Sequence, residues 1–202
     1  EGGMNNVVFG ESPYPDVAAQ LNGSAIETEA LYDLTNSDYA FDLWFYRQGD
    51  GKIISLGTED NLLSLSTHDG GKLSARVGSK DDVYETNAVL PKDQWMYLAL
   101  SYKRKTADDS QNRISMLYVT ADMKNPEYIG QNMPAKDLEG HGKLSIGGNG
   151  MTGMAAELSI WNTSVSIDEL YENRNKKKAS YTPGLVGYWE MDEGHGTVLT
   201  DR

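Results

Sequence analysis

Cysteine is absent from this 202-residue chain. Disulfides, thiol nucleophiles and thiolate zinc sites are thereby excluded. The compartment is not fixed by that absence, because exported bacterial domains also do without cysteine. Proline is scarce, at 6 residues, and 39% of residues are hydrophobic, so a packed core is expected rather than wholesale disorder. No apolar run approaches the roughly 20 residues of a membrane-spanning helix. Basic side chains are outnumbered, 18 Lys and Arg against 30 Asp and Glu, which leaves a net charge of -12. Such a surface repels nucleic-acid phosphates and anionic lipid, making both poor partners. The 3 histidines, His68, His141 and His195, lie far apart and close to glycines. That is turn composition, with no paired spacing for zinc. A serine nucleophile elbow and a phosphate-binding loop are also missing. The chain opens on Glu1-Gly2-Gly3-Met4 without a charged-then-apolar leader, a start compatible with a signal peptide already removed.

What is abundant is turn chemistry. The 21 glycines, with many Asn and Asp, cut the chain into short segments. The strongest strand signal runs from Asp38 to Gln48, where Tyr39, Phe41, Leu43 and Phe45 alternate with Ala40, Asp42, Trp44 and Tyr46. The first set is expected to face the core. Further strands are predicted at Lys52 to Leu56, Leu62 to Ser66, Lys72 to Val77, Val83 to Thr86, Trp95 to Tyr102, Ile114 to Thr120, Leu144 to Gly147 and Glu157 to Trp161. Asp69-Gly70-Gly71 reads as a hairpin turn, and Lys103 to Arg113 as an exposed loop. Val7-Val8-Phe9 reads as an edge strand, and Gln20 to Thr28 as one short strand with a turn at Asn22-Gly23. One helix of two to three turns is predicted after Ser166, whose spacing to Glu169 is that of a capping box. Lys176, Lys177 and Lys178 then fall near its C-terminus, where positive charge is favoured. The pattern predicts an all-β, antiparallel two-sheet β-sandwich with one short helix near the C-terminus. Residues 1–202 read as a single domain, with 184–202 a terminal strand segment leading into a further module.

Several separated motifs carry a family resemblance. Ala40-Phe41-Asp42-Leu43-Trp44-Phe45-Tyr46 is similar to a strand written phenylalanine-threonine-isoleucine-glutamate-x-tryptophan. Trp95-Met96-Tyr97-Leu98-Ala99-Leu100-Ser101-Tyr102 is similar to tryptophan-x-histidine-valine-alanine-x-x-tyrosine. Leu117-Tyr118-Val119, Ile146-Gly147-Gly148 and Gly153 to Asn162 follow in order, with Gly187-Tyr188-Trp189-Glu190 near the end. Their order and spacing resemble the bacterial laminin-G-like, concanavalin-A-like jellyroll domains. The resemblance implies a jellyroll fold used mostly for binding at the cell surface or in secretion. It departs at Thr120-Ala121, where aspartate-glycine is common, at Tyr97, where histidine is common, and at Ala156, where an aspartate is common.

Glycosidase chemistry needs two carboxylates about 5 to 10 Å apart. Related enzymes of this fold carry them on one strand. Glu190-Met191-Asp192-Glu193 comes nearest, yet an extended chain sends Asp192 and Glu193 to opposite faces and the last spaced glutamate is missing. A non-catalytic role is therefore expected. Calcium is the cation that oxygen-rich loops suit, and the resemblance implies it; Asp50, Asp60, Asn61, Asp81 and Asp82 are loop donors that ordinary turns explain equally. Sugar binding would use an aromatic surface. If Phe41, Leu43, Leu98, Leu100, Leu117 and Val119 face the core, then Asp42, Trp44, Tyr46, Trp95, Tyr97 and Tyr118 share the opposite face. Those six are the expected ligand-binding residues, with loop cover and packing roles as the competing explanation. The expected partner is a glycan or, alternatively, an extracellular protein contacted by a structural or adhesion module.

Overall fold

A computed structural model of the chain describes residues 18–178, 182–191 and the backbone of 198–199. In chain order the strands are β1 (Ala19–Asn22), β2 (Ile26–Thr28), β3 (Tyr32–Asp33), β4 (Tyr39–Arg47), β5 (Gly51–Thr58), β6 (Asn61–His68), β7 (Lys72–Gly78) and β8 (Val83–Val89). They continue as β9 (Trp95–Lys103), β10 (Asn112–Thr120), β11 (Glu127–Ala135), β12 (His141–Ile146) and β13 (Thr152–Trp161). Helix α1 (Ile167–Glu172) follows, then β14 (Leu185–Trp189) and β15 (Val198–Leu199).

The strands form two sheets. The first runs β1-β13-β4-β9-β10-β11, and β14 pairs with β13 beyond the stretch that β1 occupies. The second runs β15-β2-β12-β5-β6-β7-β8, and β3 shares β12 with β2. All the pairs are antiparallel except β15 with β2. This is an antiparallel two-sheet β-sandwich.

The core lies between the sheets and follows the alternation of the strands. Tyr39, Phe41, Leu43 and Phe45 of β4 enter it beside Met96, Leu98, Leu100 and Tyr102 of β9. Ile54 and Leu56 of β5, with Leu63 and Leu65 of β6, come from the facing sheet. Near-total burial of such side chains contributes about 1.5–3 kcal/mol each. Arg47 ties the turns at one end. Its guanidinium, almost fully buried, donates to the carbonyls of Leu90, Gly49 and Gly70 and to Asp50 Oδ1 at 3.1–3.4 Å. Gly71 has no room for a side chain there, since a Cβ would lie 2.5 Å from the Leu90 carbonyl and 2.7 Å from the Arg47 guanidinium.

Four expectations change. Gln20 to Thr28 is two strands in different sheets, β1 and β2, because the chain crosses the sandwich at its turn. The helix has 6 residues, under two turns, and the lysine run lies beyond it. Strand β11 was not expected: none of its side chains is fully buried, and Ile129, Met133 and Ala135, which pack against the core, are interrupted by Gln131. Tyr118 faces the core rather than the outer surface. Its partner across the ladder is Leu98, so it enters the main core, while Leu117 and Val119 point outward. The predicted strand at Val7-Val8-Phe9, His195 and the Asp192-Glu193 pair lie outside the described residues.

A bulge shapes β13. Ala156 pairs with Trp44 and Ser159 with Asp42, so two residues, Glu157 and Leu158, stand opposite Leu43 alone. Glu157 takes a left-handed φ of 51°. The extra residue leaves Ala155 and Leu158 in the core and Ala156 on the outer face.

Candidate binding face

The outer face of the first sheet holds five of the six expected residues. Asp42, Trp44 and Tyr46 of β4 pair across the ladder with Ala99, Tyr97 and Trp95 of β9. Trp44 and Tyr97 rings lie 5.6 Å apart, and Tyr46 and Trp95 rings 5.7 Å apart. Tyr118 is not among them, for the reason given above.

This aromatic strip is covered. A second apolar cluster joins Trp44, Trp95, Tyr97, Leu117, Val119 and Trp161 to Ile167 and Leu170 of α1. The helix starts where the sequence predicts, with Ser166 Oγ accepting from the Glu169 backbone N–H at 3.1 Å. Beyond α1 the chain stays on the sheet, and the Trp44 indole donates to the Arg174 carbonyl at 3.1 Å. Arg174 in turn stacks over the Tyr171 ring at 4.0 Å. Trp44, Trp95 and Tyr97 are buried, and only Tyr46 of the aromatic set is half-buried.

A polar centre lies beneath this cover. Asp42 is 1% exposed and accepts from the Tyr97 hydroxyl at 2.7 Å and from the Trp161 indole at 3.4 Å. Its counter-charge is Lys178, whose Nζ stands 3.4 Å from Asp42 Oδ2 and 5.5 Å from the Tyr188 ring centre. Burial, reinforced by the Asp42 carboxylate, pushes the Tyr97 hydroxyl far above the usual phenol range. Next to it, Tyr188 donates to Glu157, the bulge residue, and burial raises both groups. Ser159 Oγ, fully buried between Asp42 and Tyr188 on the ladder, has no hydrogen-bond partner among the described residues. Lys177 pairs with Glu190 at 3.2 Å.

Two clefts flank α1. One, of about 650 Å³, opens beside Trp161, Lys178, Asn173 and Pro183. The other, of about 330 Å³, has a floor of Ser101 and Lys103 from β9 and Arg113 and Ser115 from β10. Gln131 and Asn132 of β11 make one wall, and Ser164, Ser166, Ile167 and Asp168 the other. Nine of these ten side chains are polar. Asn132 has φ 51° and donates its backbone N–H to Ser115 Oγ, which turns β11 into the wall. Tyr128, 41% exposed, donates its hydroxyl to Asp168, a residue of the second wall. Arg113 is braced by Asp109 at 2.9 and 3.0 Å. Alternation along β9 and β10 gave no hint of this cleft, because its walls come from β11 and from the loop before α1.

Three of the loop residues expected to suit calcium have partners within the fold. Asp50 accepts from the Gly70 N–H at 2.7 Å and pairs with Arg47. Asp82 accepts from the N–H and hydroxyl of Ser79, both at 2.9 Å, and Asn61 from the Glu139 N–H at 3.3 Å. No group of three or more His, Asp or Glu side chains is placed to hold a metal ion among the described residues. His68 stands between Glu85 at 2.8 Å and Asp69 at 3.2 Å, contacts that raise its pKa. No helix among the described residues is long and apolar enough to cross a membrane.

Comparison with known proteins places the fold. No family model and no curated protein sequence matches the chain. A candidate carbohydrate-binding protein from Bacteroides ovatus superposes with a TM-score of 0.59 at 16% identity, over 91% of this chain. The mouse laminin alpha1 chain, domains LG4-5, gives 0.47 at 15% identity over 84%, and the extracellular region of zebrafish Gpr126 gives 0.47 at 12% over 92%. This chain spans 56% of the Bacteroides chain, 46% of the laminin chain and 27% of the zebrafish one.

Proposed function

We propose that the domain is a non-catalytic binding module of an exported or cell-surface protein, and that it recognises a glycan in the cleft beside Tyr128. The observation that carries this reading is the lining of the 330 Å³ cleft, polar at nine of ten positions. Sugar hydroxyls donate and accept at once, and serine, asparagine and glutamine do the same. Lys103 and Arg113 add donors and Asp168 an acceptor, and exposed Tyr128, bonded to Asp168, is assigned the role of an apolar plane for a sugar face. The role of the Bacteroides neighbour agrees with this reading. The face first expected to bind, Trp44 with Trp95 and Tyr97, instead packs against α1.

A glycan-array screen of the domain, run with calcium and with chelator, tests the proposal. Tyr128→Ala and Gln131→Ala are expected to weaken binding about tenfold or more, the loss of roughly 1.4 kcal/mol of contact, while melting moves by only a degree or two. Loss with chelator adds calcium to the site. Absence of any bound glycan class, or unchanged binding in both variants, overturns the cleft assignment. A protein-contact module is the second reading; Val83 and Val89, exposed on the edge strand β8, favour it.

A further inference from the structure

The buried Asp42 centre has a shape that packing alone does not require. We propose that it is a binding site for a primary alkylammonium, such as a lysine side chain of a partner protein, and that Lys178 is its tethered occupant. The receptor half is rigid. Asp42, Tyr97, Trp161 and Tyr188 come from β4, β9, β13 and β14, neighbouring strands of one sheet. The carboxylate is fixed by the Tyr97 hydroxyl at 2.7 Å and the Trp161 indole at 3.4 Å, and aromatic rings surround it. A carboxylate inside an aromatic enclosure is the chemistry that selects ammonium, by charge and by ring quadrupole.

The occupant half is not rigid in the same way. Lys178 comes from irregular chain beyond α1, not from a strand. Its ammonium sits 3.4 Å from Asp42 and 5.5 Å from the Tyr188 centre, longer than the 2.7–2.9 Å of a tight charge-assisted bond. The pair is enclosed, with side-chain exposures of 9% for Lys178 and 1% for Asp42. Ser159 Oγ, buried beside Asp42 and without a hydrogen-bond partner among the described residues, is an acceptor for a differently seated ammonium. The 650 Å³ cleft is lined by Lys178 and Trp161, two residues that contact Asp42.

Lys178→Ala removes the ammonium together with its aliphatic stem and leaves the space a probe of the same length would fill. n-Butylammonium is the probe, and 1-butanol its neutral counterpart. The expected result is a saturable rise in the melting temperature of Lys178→Ala, about 3–6 °C at ten times the dissociation constant. Butanol gives no such rise, nor does n-butylammonium with the Asp42→Asn, Lys178→Ala pair. The wild-type chain responds more weakly, since a tethered lysine competes at millimolar or higher effective concentration. Should Lys178→Ala not fold, the wild-type chain labelled with carbon-13 lysine serves, its Lys178 signal assigned through Lys178→Arg. That signal is then expected to move toward the solvent-exposed value as n-butylammonium is added. No saturable response in either measurement, or an equal response to butanol, overturns the proposal and leaves Lys178 an ordinary ion-pair partner.

Discussion

The two outer faces of the sandwich are built from opposite materials. On the first sheet the outward row includes Trp44, Tyr97, Leu117 and Trp161, and α1 lies across it. On the second, a ladder row runs Glu27, Ser145, Ser55, Ser64 and Arg76, and the next runs Lys52, Ser66, Ser74 and Glu85. The first row continues from Arg76 to Val83 on β8, and its serines, Ser145, Ser55 and Ser64, are buried, while Ser66 and Ser74 of the next are half-buried. Serine leaves nothing apolar for a helix to bury, and no described helix packs there. A face of tryptophan and leucine needs apolar cover, and the chain after β13 folds back to supply it. The comparison teaches that aromatic content on an outer face marks where a domain covers itself, and that open polar ground beside the cover is the better place to look for a ligand.

The contrast breaks most visibly at Trp44. Trp44→Ala removes a buried ring and the hydrogen bond that anchors Arg174, and is expected to cost about 3–5 kcal/mol in urea unfolding. Ser66→Ala on the opposite outer face is expected to stay within about 0.5 kcal/mol. Similar costs for the two would dissolve the distinction between the faces. The cover itself is sharpened by Ser166→Ala, which deletes the cap of α1 and is expected to cost about 1 kcal/mol. A cost near zero would mean that packing of Ile167 and Leu170 holds the helix unaided. The smallest effect belongs to the second face. Glu85 first, then Asp69, raise the pKa of exposed His68, so the folded state binds that proton more tightly than the unfolded chain. The resulting stabilisation is full below the ordinary imidazole value of about 6.5 and disappears as pH rises through the elevated folded value. The melting difference between wild type and His68→Gln should therefore shrink from pH 5.5 to pH 8.5. A difference constant with pH would remove the charge from the account.

The facing of β4 and β9 was legible in the sequence. In β4 the inward set of Tyr39, Phe41, Leu43 and Phe45 is where alternation puts it, as is Met96 to Tyr102 in β9. In β10 alternation loses its meaning, because Leu117 and Val119 are apolar and buried under the cover while Tyr118 enters the core. Both faces are dry, so the phase of the strand depends on pairing with Leu98, a tertiary fact. For β11 the reason is the reverse: its residues are exposed or half-buried, and Gln131 interrupts the apolar row of Ile129, Met133 and Ala135. The polar cleft stayed hidden for the same cause, since Gln131 and Asn132 become a wall only once β11 pairs with β10.

The bulge at Glu157 bears on how the chain tolerates length change. Glu157 and Leu158 share one position opposite Leu43. Remove Glu157 and Leu158 falls opposite Leu43, with Ala156 and Ser159 still facing outward. An ordinary strand loses its facing when a codon is dropped from its middle. This one keeps it and forfeits only the contact to Tyr188. Codon 157 is a place inside a buried strand where a single-residue deletion leaves the pattern of inside and outside readable.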